Sequence, residues 1–361
     1  MLELESVGKR VGPDEHISDV TMTLEAGTLN VLLGPTLAGK TSLMRLMAGL
    51  DKPTSGEIRF NGENVVGKRV QDRNVAMVYQ QFINYPALTV YENIASPLKI
   101  AGHDKATIDR EVRAAAELLR LEPYLERTPL HLSGGQQQRT ALARAIVKKA
   151  DLVLLDEPLA NLDYKLREEL RDELPKVFKE SGAIFVYATT EPTEALLLGG
   201  NTATLHQGRV TQFGATVDVF RQPVDLITAK TFSDPPLNII GSTKRGGRFI
   251  LEGEAEIDAP AMYQGLPDGP CIVGFRPHHL SLSADSEHAV HLKARVSVTE
   301  ITGSESYIHL DHGGERWALL TPGIHDIETD ADIDIYLDTR HLLIFDQDGQ
   351  SLDPAISRAA A

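Results

Sequence analysis

LNVLLGPTLAGKTSLMRLMAGL, residues 29–50, decides the fold. Leu29–Leu33 form a short apolar run of strand type. Gly34–Thr41 fits the pattern G-x-x-x-x-G-K-[ST], and the next stretch places Leu43, Leu46, Met47 and Leu50 on one helical face. A strand that feeds a Gly-rich turn and opens a helix is built to hold phosphate. Small residues let backbone N–H groups wrap the anion, and the helix N-terminus adds partial positive charge. The candidate nucleotide-binding residues are therefore Gly34, Pro35, Thr36, Leu37, Ala38, Gly39, Lys40, Thr41 and Ser42. Lys40 is expected to reach the β- and γ-phosphates of a nucleotide, and the Thr41 hydroxyl to bind Mg²⁺. A strand–helix turn without a ligand is the blander alternative, and it fits a match of this length in this context poorly.

Working outward, strands and helices alternate from residue 1 to about 230. LELESV reads as a half-buried strand, VAMVY as a strand, and DLVLLD and AIFVYATT as strands buried on both faces. IDREVRAAAELLRL carries Ile108, Val112, Ala115 and Leu119 at helical spacing. A later helix carries Leu166, Leu170, Leu174 and Val177, with Pro175 expected to kink or end it early. This is an α/β pattern with a mainly parallel sheet. Around FSDPPLNIIGS, residues 232–242, the texture changes to short strands separated by the turns LPDG, DHGG and QDG. The expected organisation is an α/β nucleotide-binding domain over 1–235, with a helical subdomain at about 85–150, and a small all-β barrel of OB type over 236–361.

Composition narrows the function. Of 361 residues, 51 are acidic and 36 basic, a net charge of −15, which argues against nucleic acid as a partner because that needs a basic footprint. The single cysteine, Cys271, heads the apolar run CIVGF and is read as buried and inert; no Cys/His cluster has zinc spacing. No apolar run approaches the ~20 residues of a membrane-spanning helix, and the N-terminus lacks the pattern of a secretory signal.

LVLLDEP places Asp156 and Glu157 at the end of a buried strand. Asp156 is positioned to hold Mg²⁺ and Glu157 to orient or deprotonate an attacking water. About twenty residues earlier stands LSGGQQQR. Ser133, Gly134, Gly135 and Gln136 combine a hydroxyl, exposed backbone amides and a helix start, a second phosphate-binding arrangement; an ordinary helix N-cap is the competing reading. With these motifs together the chain resembles the ABC ATPase family. That resemblance implies that Ser133–Gln136 act on the ATP of a partner subunit, with nucleotide sandwiched between two cassettes. It also implies that Gln80 in VAMVYQQ contacts Mg²⁺ or water, and that Asp163 in ANLDYKLR lies at the dimer contact. FINYPALTVYENIASPLKI looks like the matching stretch of sugar importers. GFRPHHLSL and TEITGSESYIHL resemble the accessory β-barrel of the maltose and glycerol-3-phosphate importer ATPases.

The chain departs from the family pattern in one direction. Thr190 stands where the family carries a switch histidine, Val11 where an aromatic stacks on adenine, Leu37 in place of a loop glycine and Ala160 in place of a serine; His16 is a possible substitute for the missing aromatic. These changes weaken the site on this chain's own loop and leave Ser133–Gln136 intact. The resemblance therefore implies an ATP-hydrolysing importer subunit, peripheral at the cytoplasmic face of the inner membrane. Its expected partners are two transmembrane permeases, an extracytoplasmic solute-binding protein and a second ATPase subunit, different or identical. The expected cargo is a sugar, glycerol-3-phosphate or a polyol, with glycerol favoured by the paired changes at Val11 and Thr190. A non-transport ABC protein and a regulatory binding module are the rival classes.

Overall fold

The computed structural model describes every residue except 161, 253, 254, 285, 360 and 361, and every described side chain except those of 172, 178–180 and 357–359. Two compact units divide between Val217 and Asp218.

In the first unit, β1 (Leu2–Val11), β2 (Asp14–Leu24), β3 (Leu29–Leu33), α1 (Lys40–Ala48), β4 (Ser55–Phe60), β5 (Glu63–Asn64) and β6 (Val75–Val78) come first. The helices α2 (Val90–Ile100), α3 (Lys105–Leu118) and α4 (Gly134–Val147) follow. Then come β7 (Leu152–Asp156), α5 (Tyr164–Ser181), β8 (Ile184–Thr189), α6 (Pro192–Leu198), β9 (Asn201–His206) and β10 (Arg209–Ala215). One sheet runs β10-β9-β3-β8-β7-β6. Its strands are parallel except β10, which pairs antiparallel with β9. An antiparallel sheet, β2-β1-β4-β5, carries the N-terminus. Every residue of β7 and β8 is buried, which explains their unbroken apolar runs. The first core gathers Leu43, Leu46 and Met47 of α1 with Leu32, Leu154, Val186 and the inward face of β1 and β2.

Two details differ from the sequence reading. Leu50 is exposed, because Gly49 at φ +77 ends α1 in a left-handed C-cap before the apolar face completes another turn. Helix α5 also passes through Pro175 and runs to Ser181. Leu166, Leu170 and Leu174 are all buried. At ~1.5–3 kcal/mol each, their packing outweighs the ~3 kcal/mol proline penalty.

Among its described residues the second unit holds most of α7 (Thr216–Arg221), α8 (Leu226–Thr231) and ten antiparallel strands in two sheets. One sheet is formed by β11 (Asn238–Arg245), β12 (Arg248–Leu251), β13 (Glu256–Asp258), β14 (Gly269–Phe275) and β20 (Leu343–Phe345). The other is formed by β15 (Leu280–Ser281), β16 (Ala289–Ile301), β17 (Glu305–His312), β18 (Glu315–Pro322) and β19 (Asp332–Asp338). Both sheets close on one core around Phe249, Val273, Phe275, Leu310, Trp317 and Leu337. Phe275 meets Trp317 edge to face at 4.9 Å. This is the all-β domain expected from the short-strand texture. The unit begins well before residue 235, because Phe220 packs edge-on against Phe232 and the Leu226 amide donates to Gly349 O at 2.8 Å. Cys271 is buried, and burial pushes its thiol above the ordinary range. Among the described residues no helix is long and apolar enough to cross a membrane.

Candidate functional site

The site grows from the C-terminal ends of β3 and β7. Between β3 and α1 the chain turns sharply. Gly34 has no room for a side chain, since a Cβ there would lie 2.5 Å from Leu205 O. Gly39 at φ +105 starts α1 without a side-chain cap, so the helix amides point into the turn. Leu37 also lies in the left-handed region, at φ +68, with its side chain 95% exposed. Glycine would adopt that backbone without strain, and leucine does not.

Lys40 is buried, and its Nζ donates to Gly34 O at 2.7 Å and Pro35 O at 3.0 Å, so the ammonium is held inside the loop. Burial pulls its pKa below the usual lysine value, and Glu157 and Asp156 oppose that shift. The Thr41 hydroxyl donates to Asp156 Oδ2 at 2.7 Å. Asp156 is buried at the end of β7. Desolvation raises its pKa, against the lowering effects of the Thr41 hydrogen bond and Lys40.

Glu157 follows at φ +47, again left-handed, a conformation that costs an L-residue ~1–2 kcal/mol. Its N–H donates to Ala188 O at 3.0 Å, its carbonyl accepts from Gln138 Nε2 at 3.2 Å, and its carboxylate accepts from Gln80 Nε2 at 2.8 Å. Thr36–Ser42, Gln80, Asp156, Glu157 and Thr190 line one cleft of about 670 Å³. Asp14, Glu15, His16, Gln207 and Gly208 complete the wall. Val11 sits at the β1–β2 turn, paired with Asp14, and is not among the lining residues; His16 is. Apart from His16, the walls from β2 and the β9–β10 turn carry no local sequence signal, because only the tertiary fold brings them to the loop.

The residues flanking Thr190 form a polar cluster. Tyr187 Oη donates to Glu194 Oε1 at 2.8 Å, Thr189 Oγ1 donates to Glu194 Oε2 at 2.5 Å, and the Glu191 amide donates back to Thr189 Oγ1 at 3.0 Å. Thr190 is the exposed residue at its edge.

The Ser133–Gln136 segment is not among the residues lining that cleft. It opens α4 as a capping box: Ser133 Oγ accepts from the Gln136 amide at 3.3 Å, and Gln136 Oε1 accepts from the Ser133 amide at 2.9 Å. As an acceptor, the Ser133 hydroxyl keeps its proton for donation elsewhere. Asp163 caps α5, accepting from the Leu166 amide at 3.0 Å; Asn161 of the same motif lies outside the described residues. A separate groove of about 330 Å³ lies beside β6 and α4, lined by Ile83, Tyr85, Ile100, Arg144 and Lys148 among others.

Two family models match this sequence: ABC transporter over residues 17–160 and TOBE domain over 273–345. A spermidine/putrescine import ATP-binding protein of Pseudomonas aeruginosa is 38% identical, covering 89% of this chain and 91% of the relative. An sn-glycerol-3-phosphate import ATP-binding protein of Rhizobium johnstonii is 35% identical over 93% of this chain and 94% of its own. Among solved structures, a dimeric post-hydrolysis ATP-binding cassette with ADP and phosphate matches at TM-score 0.56 and 27% identity. It covers 60% of this chain and 99% of that one.

Proposed function

As the chain belongs to the ABC transporter family, among the import ATP-binding subunits that carry a TOBE domain, we propose that it energises solute uptake by binding and hydrolysing MgATP in the Gly34–Ser42 cleft. The convergence of Lys40, Thr41, Gln80, Asp156 and Glu157 on one cleft carries this reading.

The loop amides and Lys40 bind the terminal phosphates: the ammonium exchanges its carbonyl partners Gly34 and Pro35 for phosphate oxygens. A single buried carboxylate, a hydroxyl and an amide oxygen form a hard-oxygen donor set suited to magnesium, which takes few protein ligands beside phosphate and water. Among the described residues no cluster of three or more His, Cys, Asp or Glu side chains forms a metal site of its own, which agrees with a metal that arrives on the nucleotide. Thr41, Asp156 and Gln80 would hold it, and the ion would neutralise charge on the β- and γ-oxygens. Glu157, with its carboxylate oriented by Gln80, aligns the attacking water and accepts its proton. Thr190, at the cleft edge, offers a hydroxyl toward the γ-phosphate in place of the imidazole of the family pattern.

The Ser133–Gly134–Gly135–Gln136 helix start serves the nucleotide of a second ATPase subunit, with Asp163 near the contact between the two. The departures at Thr190 and Val11 favour a slow own site paired with a different, more active partner chain. The permeases dock near Gln80–Leu88, the segment that carries Ile83 and Tyr85 of the groove beside β6 and α4, which holds the chain at the cytoplasmic face of the membrane. An extracytoplasmic solute-binding protein delivers the cargo. The relatives are import subunits for an anionic phosphate ester and for cationic polyamines at comparable identity, so cargo choice lies in the other subunits. A sugar, glycerol-3-phosphate or a polyol remains the class proposed, glycerol first among them.

Lys40→Ala is expected to abolish MgATP binding and transport by the assembled complex. Undiminished binding and transport would overturn the reading. Co-purification of two polytopic membrane proteins separates an importer from a non-transport ABC protein. Two copies of this chain alone in the purified complex would replace the heterodimer with a homodimer.

A further inference from the structure

Asp156 and Glu157 are consecutive, yet both line the same cleft. An extended backbone sends successive side chains to opposite faces. The left-handed turn at Glu157, φ +47, is what brings both carboxylates to one side. That turn is held at both ends of the residue: by the N–H donating to Ala188 O, and by the carbonyl accepting from Gln138 Nε2. Gln138 is fully enclosed, at 0% exposure, and its Oε1 has no hydrogen-bond partner. A buried amide that leaves one end unsatisfied is retained for what its other end does, and here that end grips the backbone of Glu157.

The position of Gln138 in the chain gives the grip a direction. It lies on the second turn of α4, whose N-cap is Ser133. Its neighbour Gln137 accepts through its carbonyl from Asn84 Nδ2 at 2.9 Å, on the segment that follows Gln80. Consecutive residues of α4 are thus fastened to the two segments that supply the cleft with Gln80 and Glu157, whose side chains meet at 2.8 Å. A shift at the Ser133 end of the helix reaches Glu157 through one hydrogen bond.

We infer that Gln138 is a positioning residue for ATP hydrolysis: its amide fixes the left-handed turn at Glu157 and ties the carboxylate's placement to the Ser133–Gly135 helix start. The inference rests on the reading of Glu157 as the group that prepares the attacking water. Gln138 does not line the cleft, so its loss is expected to act on turnover and not on nucleotide binding.

The test uses the assembled complex with three variants, Gln138→Leu, Gln138→Glu and Glu157→Gln; where a second ATPase chain is present its own loop lysine is replaced by alanine, so that kcat and KM for ATP report the Glu157 site. Gln138→Leu removes the donor together with the unpaired oxygen, and is expected to lower kcat about 10- to 100-fold while KM stays within about two-fold. Gln138→Glu can donate to the carbonyl only while protonated, so its kcat should fall with rising pH where the wild type's does not. Melting temperature followed over the same pH range separates the two roles: a kcat that falls while melting temperature and KM stay level marks positioning, and a kcat that falls only in step with melting temperature overturns the inference. Unchanged kcat in Gln138→Leu, or a Gln138→Glu profile parallel to the wild type's, overturns the inference while a dead Glu157→Gln leaves the site reading standing. A Glu157→Gln variant that hydrolyses at the normal rate sinks the site reading itself.

Discussion

Leu37 gives the sharpest test of the loop geometry. It holds φ +68 with its side chain 95% exposed, so no packing offsets the backbone strain. Left-handed backbone costs an L-residue ~1–2 kcal/mol. Replacing Leu37 by glycine removes that cost but adds conformational freedom to the unfolded chain, worth ~0.4–1 kcal/mol in the other direction. The net expectation for Leu37→Gly is a gain of ~0–1.6 kcal/mol, the difference of those two ranges. Asparagine tolerates the left-handed region and keeps a side chain in the unfolded state, so Leu37→Asn should gain at least as much. Leu37→Val should lose stability, because β-branching makes the same conformation worse. The expected order is Asn at or above Gly, then Leu, then Val. The assay is thermal unfolding of the full chain, following the transition that moves upward with added MgATP, since ligand linkage marks the unit that holds the cleft. Gly and Asn variants less stable than wild type, or a Val variant equal to it, would refute a left-handed backbone at residue 37.

Thr190→His should raise turnover at this chain's own site by about 10²–10³, the worth of one well-aimed donor to developing charge; steady-state hydrolysis at saturating MgATP, with the loop lysine of any second ATPase chain replaced by alanine, measures it, and an unchanged rate shows that this position does not limit hydrolysis. Glu194 is buried, and desolvation pushes its pKa above the ordinary 4.5 despite hydrogen bonds from Thr189 and Tyr187. A raised carboxyl pKa means that the folded state binds the proton more tightly. The stabilisation is therefore full below the ordinary value and lost as pH rises through the folded value. Glu194→Gln, neutral throughout, should gain on the wild type in melting temperature as pH rises from about 4.5 through the folded pKa, then hold level; a gap that stays flat or shrinks would count against a protonated Glu194.

Fold class was legible because the decisive signals are local. Unbroken apolar runs at DLVLLD and IFVYAT mark strands buried on both faces, and a strand–loop–helix motif fixes where they lead. The strand Asn238–Arg245 was not legible, for a definite reason. It alternates perfectly between buried and partly exposed positions up to Lys244, but three of its four inward residues are polar. Asn238 satisfies Ala318 on both its O and N atoms, the Ser242 hydroxyl donates to Ile250 O, and Lys244 Nζ donates to Gly246 O. A strand whose buried side is paired by hydrogen bonds leaves no hydrophobic alternation to read. Pro175 misled in the opposite sense: the local penalty is real, but the leucine stripe on the same helix outweighs it through contacts that only the tertiary fold supplies.

The same division runs through the cleft. Residues proposed to bind by backbone geometry at fixed spacing, Gly34 to Ser42 and Ser133 to Gln136, announce themselves, because both segments open a helix through a glycine-bearing turn. Those that set the orientation of Glu157 do not. Gln138 sits inside a motif run of three glutamines, and nothing in that run separates the capping Gln136 from the buried Gln138. What separates them is that Glu157, nineteen residues later, adopts a backbone conformation that glutamate avoids when free to choose. The energy to hold it there comes from two hydrogen bonds made by different elements, β8 and α4. Placement of the carboxylate is therefore a property of the assembled fold, and it should fail by degrees as either bond is removed.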